Sequence, residues 1–188
     1  MAEQIRIQTP LTEEMSRKLK AGDAVLITGT IIAARDAAHK AMTEALARGE
    51  KLPVDWQNQI VYYLGPTPAK PGQPIGSCGP TTSGRMDAYT PTMLKQGIKG
   101  MIGKGSRTPE VIEAMKENGV TYFAAVGGAA ALIAKSVKKY EVLAYPELGP
   151  EAVARLTVED FPAIVVIDSE GTSLYETNQA KYRTLKGY

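Results

Sequence analysis

Cysteine is almost absent from this chain, and its scarcity excludes two classes of protein at once. Cys78 is the single cysteine among 188 residues. No disulfide can therefore close within the chain, and a metal–sulfur cluster, which takes three or four thiolates, cannot be held by this chain alone. Cys78 itself reads as a small, buried or half-buried thiol rather than as a ligand. Histidine is equally scarce. His39 has no second histidine to share a metal with, and no set of His, Cys and carboxylates falls at ligand spacing. A net charge of +2, with no basic block and no interleaved aromatics, argues against nucleic acid as a partner. Long apolar runs are missing too: the longest, Tyr122–Ala134, is too short for a bilayer and contains Gly127-Gly128. The opening residues Met1–Arg6 lack the apolar core of a signal peptide, so the expectation is a cytoplasmic protein with no membrane partner. Trp56 and the tyrosines show no stacking pattern and read as core or interface.

What is present is an ordinary globular composition, 44% apolar and 22% charged, in a length that suits one domain. Val25–Ile32 reads as a buried strand rich in β-branched residues. A helix follows from Arg35 to Arg48, with Ala37, Ala38, Ala41, Met42, Ala45 and Leu46 as its apolar stripe and Gly49 as its stop. Asp36, Lys40, Glu44 and Arg48 alternate in sign down the opposite, solvated face. Leu52–Val54 and Ile60–Leu64 look like strand material. The Pro-rich stretch Gly65–Pro74 is a long loop. Thr90-Pro91 opens a short helix closed by Gly97, and Ile98–Ile102 is a brief strand. Thr108-Pro109-Glu110 caps and starts a helix carrying Val111, Ile112 and Met115, which ends at Asn118-Gly119. Strands at Val120–Val126, Glu141–Tyr145 and Ile164–Ile167, with a helix at Ala129–Lys139, complete an α/β pattern. Asp168–Gly171 reads as a turn, with Thr172–Tyr175 pairing back as a hairpin. Residues 1–177 form the expected domain, and 178–188 a polar, basic tail.

The stretch Gly79-Pro80-Thr81-Thr82-Ser83-Gly84-Arg85-Met86-Asp87 carries the most chemistry. Gly-Pro ends whatever precedes it. The Thr-Thr-Ser run can supply capping oxygens, leaving nearby N–H groups and Arg85 to face an anion. Arg35 makes a second case for an anion. At the first turn of a helix it faces the positive end of the macrodipole, a conflict worth about half a kcal/mol. Either a bound anion or a carboxylate of this chain such as Asp36 or Asp87 resolves it. Two arginines suit a dicarboxylate, one guanidinium for each end. Lys104, between Gly103 and Gly105, has little neighbouring bulk to hide it. That segment fails the phosphate-loop spacing, since Ile98 stands where the first glycine belongs and Gly105 where Ser or Thr belongs. Gly127-Gly128 before a helix suits either an anion seat or close helix–strand packing. His39 lies one turn after Arg35 and can position it, touch substrate or make a structural hydrogen bond. Asp36, Thr82 and Asp87 are the remaining candidates for support around the site.

The Gly79–Asp87 stretch resembles the signature of the C-terminal domain, or small subunit, of the iron–sulfur class of fumarases and tartrate dehydratases. Thr28-Gly29-Thr30 leading into Ala34–Lys40, Gly100–Gly105 and Ala125–Ala131 match the same family in the same order. The resemblance implies a layered, swivelling-type β/β/α single domain. It also implies the β subunit of a hydro-lyase, with reversible hydration of fumarate to L-malate as the first expectation. L-tartrate dehydration and a non-catalytic anion-binding or assembly module are the alternatives. In the family, Thr81 corresponds to a catalytic threonine, Arg35 and Arg85 to substrate-binding arginines, and Lys104 is a candidate for electrostatic help or a third substrate contact. The [4Fe–4S] cluster belongs to a partner α subunit and none is bound by this chain. The expected assembly is a hetero-oligomer built on a dimer.

Overall fold

Buried side chains alternate along the strands, and this period of two decides where the helices go. The computed structural model describes residues 4–125 and 130–177. In chain order the elements are β1 (Ile5–Gln8), α1 (Glu13–Lys18), β2 (Ala24–Ala33), α2 (Asp36–Ala47), β3 (Ile60–Tyr62), α3 (Thr90–Leu94), β4 (Gly100–Gly103), α4 (Pro109–Asn118), β5 (Thr121–Ala124), α5 (Ala130–Ser136), β6 (Val137–Ala144) and β7 (Val153–Ile167). Short 3-10 turns lie at Ser83–Met86 and Pro146–Glu151. Ile60, Tyr62, Ile102 and Phe123 point into one apolar cluster with Ile27, Ile31 and Phe161. Their neighbours Val61, Tyr63, Met101 and Tyr122 point into a second one, shared with Ala38 and Met42 of α2, Met93 and Leu94 of α3, and Val111 and Met115 of α4.

The strands form one mixed sheet in the order β1-β2-β3-β4-β5-β7-β6, and β2 also pairs with β7. β1 to β5 run parallel to one another, whereas β7 is antiparallel to β2, β5 and β6. Because β7 joins β2 to β5, the pairings β2–β3–β4–β5–β7–β2 close a circuit. The parallel strands β2, β3, β4 and β5 all end on the same edge.

Several expectations hold locally. α2 spans Asp36–Ala47 with Arg35 and Arg48 at its caps, and Gly49 follows at φ +77°. α4 runs Pro109–Asn118 and stops at Gly119, whose left-handed φ of +63° suits glycine. Others are corrected. The buried face of α2 is Ala38, His39, Met42 and Ala45, so histidine joins the apolar stripe while Ala37 and Ala41 lie at its margins. Of the charge ladder, Lys40 and Glu44 approach at 3.9 Å, but Arg48 pairs with Glu50. Leu52–Val54 form no strand: Pro53 lacks the N–H a ladder needs, and the two flanking side chains pack on the helical cluster instead. Thr108 caps α4 without a side-chain hydrogen bond. The helix expected over Ala129–Lys139 ends at Ser136, because Val137 and Lys139 pair with β7. That strand is far longer than Ile164–Ile167. β7 runs on through Asp160 (φ +49°) and Pro162, with a register shift against β2 between Val158 and Phe161. Beyond the Asp168–Gly171 turn only Ser173 pairs back, with Ile167, and a helical turn follows in place of a hairpin. α1 and β1 were not among the expected elements. Gly127-Gly128 and the tail 178–188 lie outside the described residues.

Candidate anion-binding site

Arg35 is delivered by β2. Ala34 continues the strand by donating to the Tyr62 carbonyl, and the chain then turns into α2 with Arg35 as its N-cap. The guanidinium is about four-fifths buried, its side chain being 18% exposed. It lies against Gly65, where a Cβ would come within 2.7 Å of Nη1. Arg35 Nη2 stands 3.3 Å from Asp36 Oδ1 and 3.3 Å from Glu151 Oε1. Asp87 is not its partner. His39 Nδ1 lies 2.9 Å from the Arg35 carbonyl, which can only accept, so the ring donates there. The imidazole is buried edge-on to Tyr63, and burial pushes its pKa down to about 4. His39 is thus a neutral structural group at ordinary pH, and it holds the turn that carries Arg35.

The signature docks beside the end of β4 rather than opening a helix. Thr81 donates its N–H to the Tyr63 carbonyl, Ser83 its N–H to the Lys104 carbonyl, and Thr82 bridges Lys104 in parallel. The N–H groups of Arg85 and Asp87 are used inside the turn. Thr82 makes no side-chain cap to the four-residue turn that follows. The expected side-chain cap from Thr82 is not formed, and the N–H groups of Thr81, Ser83, Arg85 and Asp87 are taken up by backbone carbonyls. Ser83 is the one hydroxyl of the run that is fully buried. It accepts from Lys104 N at 3.1 Å and donates to Tyr122 Oη at 2.8 Å, while Tyr122 donates to the Gly105 carbonyl. A Cβ at Gly103 would overlap Ser83 Oγ, so this junction requires glycine.

Lys104 and Arg85 are exposed, and Thr81 is half-buried. Neither cation forms an ion pair among the described residues. Arg35, Thr81, Arg85 and Lys104 therefore belong to three loops, which leave the carboxyl ends of β2, β3 and β4. That edge is the usual ligand side of parallel α/β sheets. Asp87, in contrast, faces inward. Its Oδ1 accepts from Arg107 Nε at 2.7 Å and its Oδ2 from Thr108 N at 3.0 Å. Arg107 is buried between the rings of Tyr63 and Tyr122, each 5.3 Å away, and also donates to Thr90 Oγ1 at 2.8 Å. This cation ties the signature, the loop after β4 and α3 into one unit. Neither Arg107 nor Glu151 was found from sequence, for each lies in a stretch with no motif to mark it.

Cys78 is fully buried, donates weakly toward the Ala130 carbonyl at 3.8 Å, and burial pushes its thiol up to about 12. The hydroxyl of Tyr62 donates to the Cys78 carbonyl. No group of three or more His, Cys, Asp or Glu among the described residues could hold a metal ion. Among the described residues, a neutral, enclosed thiol without companion ligands does not fit a metal cluster. A separate concavity lies between the Pro-rich loop and α5, lined by Pro68, Ile75, Ala131 and Val137, and none of the four site residues reaches it. No helix of the described residues is long and apolar enough to cross a membrane.

Fold and site together define a mixed α/β domain with the exposed cations Arg85 and Lys104 on loops that follow its parallel strands. Its sequence fits the family described as "Fumarase C-terminus" over residues 1–178, and the chain belongs to that family, as its C-terminal or β domain. "Fumarate hydratase 2" of Leishmania major is 42% identical over 161 residues, 85% of this chain and 28% of that protein. "Fumarate hydratase class I, anaerobic" of Escherichia coli is 41% identical over 152 residues, 80% of this chain and 28% of that protein. "Putative L(+)-tartrate dehydratase subunit beta" of Methanocaldococcus jannaschii is 43% identical over 182 residues, 93% of both chains. The chain thus spans little more than a quarter of these two fumarate hydratases.

Proposed function

We propose that this chain is the β subunit of an iron–sulfur-dependent hydro-lyase that hydrates fumarate reversibly to L-malate. The observation that supports the reading is that Arg35, Thr81, Arg85 and Lys104 lie on loops that follow the parallel strands β2, β3 and β4, in a chain of this family. Arg35 and Arg85 each hold one carboxylate of the substrate, since a planar guanidinium matches a carboxylate in bidentate fashion. Removing a proton from the carbon next to a carboxylate builds negative charge on that carboxylate, and a pre-placed cation stabilises it. Thr81 is placed in this reading at the proton transfer. A free threonine hydroxyl is a weak base, so a neighbour must take its proton or stabilise its alkoxide, and Lys104 supplies positive charge for that purpose.

The [4Fe–4S] cluster of this enzyme class is assigned to a partner α subunit, because the donors of this chain do not fit one. Closure of the partner over the edge excludes water and strengthens the charged contacts. The swivelling-type β/β/α layering belongs to the same reading, supported by the closed β2–β3–β4–β5–β7 circuit with α2, α3 and α4 packed in one apolar cluster. The second reading, L-tartrate dehydration, is favoured by one observation: the relative matched over 93% of its own length carries the tartrate dehydratase β-subunit name.

The test is the anaerobic loss of fumarate absorbance by this chain mixed with its cluster-loaded partner. Turnover only in the mixture is expected, and Thr81→Ala should lower kcat about a hundredfold or more with KM changed far less. Turnover of tartrate but not fumarate selects the second reading. Equal turnover by Thr81→Ala removes the catalytic role of that residue.

A further inference from the structure

Arg35 reaches the site as a long, flexible side chain, and a clamp that must be ordered by its substrate loses affinity to that ordering. Three features order it beforehand. Gly65 leaves the space that the guanidinium fills. Asp36 and Glu151 both approach the same nitrogen, Nη2, at 3.3 Å. Glu151 differs from Asp36 in being fixed itself: its second oxygen, Oε2, accepts the Ala37 N–H at 3.1 Å. α2 has no side-chain cap of its own, and this carboxylate from a remote segment serves in its place.

The topology explains how Glu151 arrives. β7 runs antiparallel to β2 with Ala154 opposite Ala33. Two residues beyond Ala33 the chain reaches Arg35, and three residues before Ala154 stands Glu151, at the end of the turn Pro146–Glu151. The sheet register therefore sets the carboxylate against the first turn of α2. That turn is where the macrodipole favours an anion and disfavours Arg35. One carboxylate answers both demands.

We infer that Glu151 is the positioning residue of the Arg35 clamp, holding the guanidinium in its binding orientation before a dicarboxylate arrives. The inference rests on the dicarboxylate reading above. Glu151 touches Arg35 and the backbone of α2, and it acts on substrate through Arg35.

The experiment is steady-state kinetics of the complete complex carrying Glu151→Gln in the full chain, on whichever dicarboxylate the wild type turns over. The amide keeps the volume and one oxygen for the Ala37 N–H, while it removes the charge and turns an NH2 donor toward Arg35. The expected result is a rise of about tenfold in KM, equivalent to about 1.4 kcal/mol, with kcat within about twofold. Glu151→Asp keeps the charge but cannot span both partners, and its KM should fall between the two. An unchanged KM with an active wild type overturns the inference and leaves the hydro-lyase reading standing. A lowered KM overturns it too, and makes Glu151 a competitor for Arg35 rather than its support. A wild-type complex inactive on both fumarate and tartrate removes the underlying reading, and the inference with it.

Discussion

Replacing Asp87 by Asn removes one charge and no volume, at a place where the charge has a buried counterpart. The Arg107 side chain has no exposed surface and that of Asp87 is 10% exposed. Both carboxylate oxygens are engaged, one with Arg107 Nε and one with Thr108 N. An amide can accept at one atom only, and its nitrogen would then face another donor. Leaving a buried cation without its partner costs about 3–5 kcal/mol. The two tyrosine rings and Thr90 Oγ1 still hold Arg107, which keeps the loss near the lower end, about 3 kcal/mol. In a domain of this size each kcal/mol moves the melting midpoint by about 2–4 °C, so Asp87→Asn should melt about 6–12 °C below the wild type. Circular dichroism of the isolated chain reads this directly. The difference should persist from about 0.1 M to about 1 M salt, because a buried pair is little screened. A fall of less than about 2 °C would mean that Arg107 is satisfied without Asp87, and the account of the signature as one buried unit would be wrong.

Three further outcomes follow from the geometry. Gly65→Ala puts a methyl 2.7 Å from Arg35 Nη1; KM for the dicarboxylate should rise about fivefold or more with the melting midpoint nearly unmoved, and an unshifted KM would show that the guanidinium does not work from this position. His39 has its pKa lowered to about 4 in the folded chain, so the unfolded state binds the extra proton first. Stability from this group is complete above about pH 6.5 and is lost as pH falls toward about 4, by at most about 3 kcal/mol. Urea midpoints of wild type and His39→Asn across that window should converge as pH drops, and parallel curves would refute the burial argument. Cys78, its thiol pushed up to about 12, should resist a disulfide reagent at about pH 8 in the native chain and react fully in guanidinium, whereas native labelling at the rate of a free thiol would show that the site is open.

The candidate residues were legible because their signals are local. Glycines flank Lys104, hydroxyls precede Arg85, and a cation stands at a helix start where the macrodipole opposes it. The family resemblance rests on the same short segments. Their surroundings were not legible, because partners far apart in sequence meet only in the fold. Ser83 reads as a capping hydroxyl in isolation, yet its oxygen goes to Lys104 N once the signature lies along β4. The capping expectation failed for that reason. Val137–Lys139 carries a helical pattern locally and becomes strand because β7 offers it a ladder. β7 extends far beyond the expected Ile164–Ile167 because β2 and β6 pair with its first half.

The sequence alone determined the elements whose caps and periods are local, the open cationic residues, the lack of a cluster's thiolates in this chain, and the family. The tertiary structure decided which carboxylate answers each arginine: Asp36 and Glu151 for Arg35, Asp87 for Arg107. Charge pairing depends on distance through space, and the sheet register that brings Glu151 to α2 leaves no trace in the residues around either one.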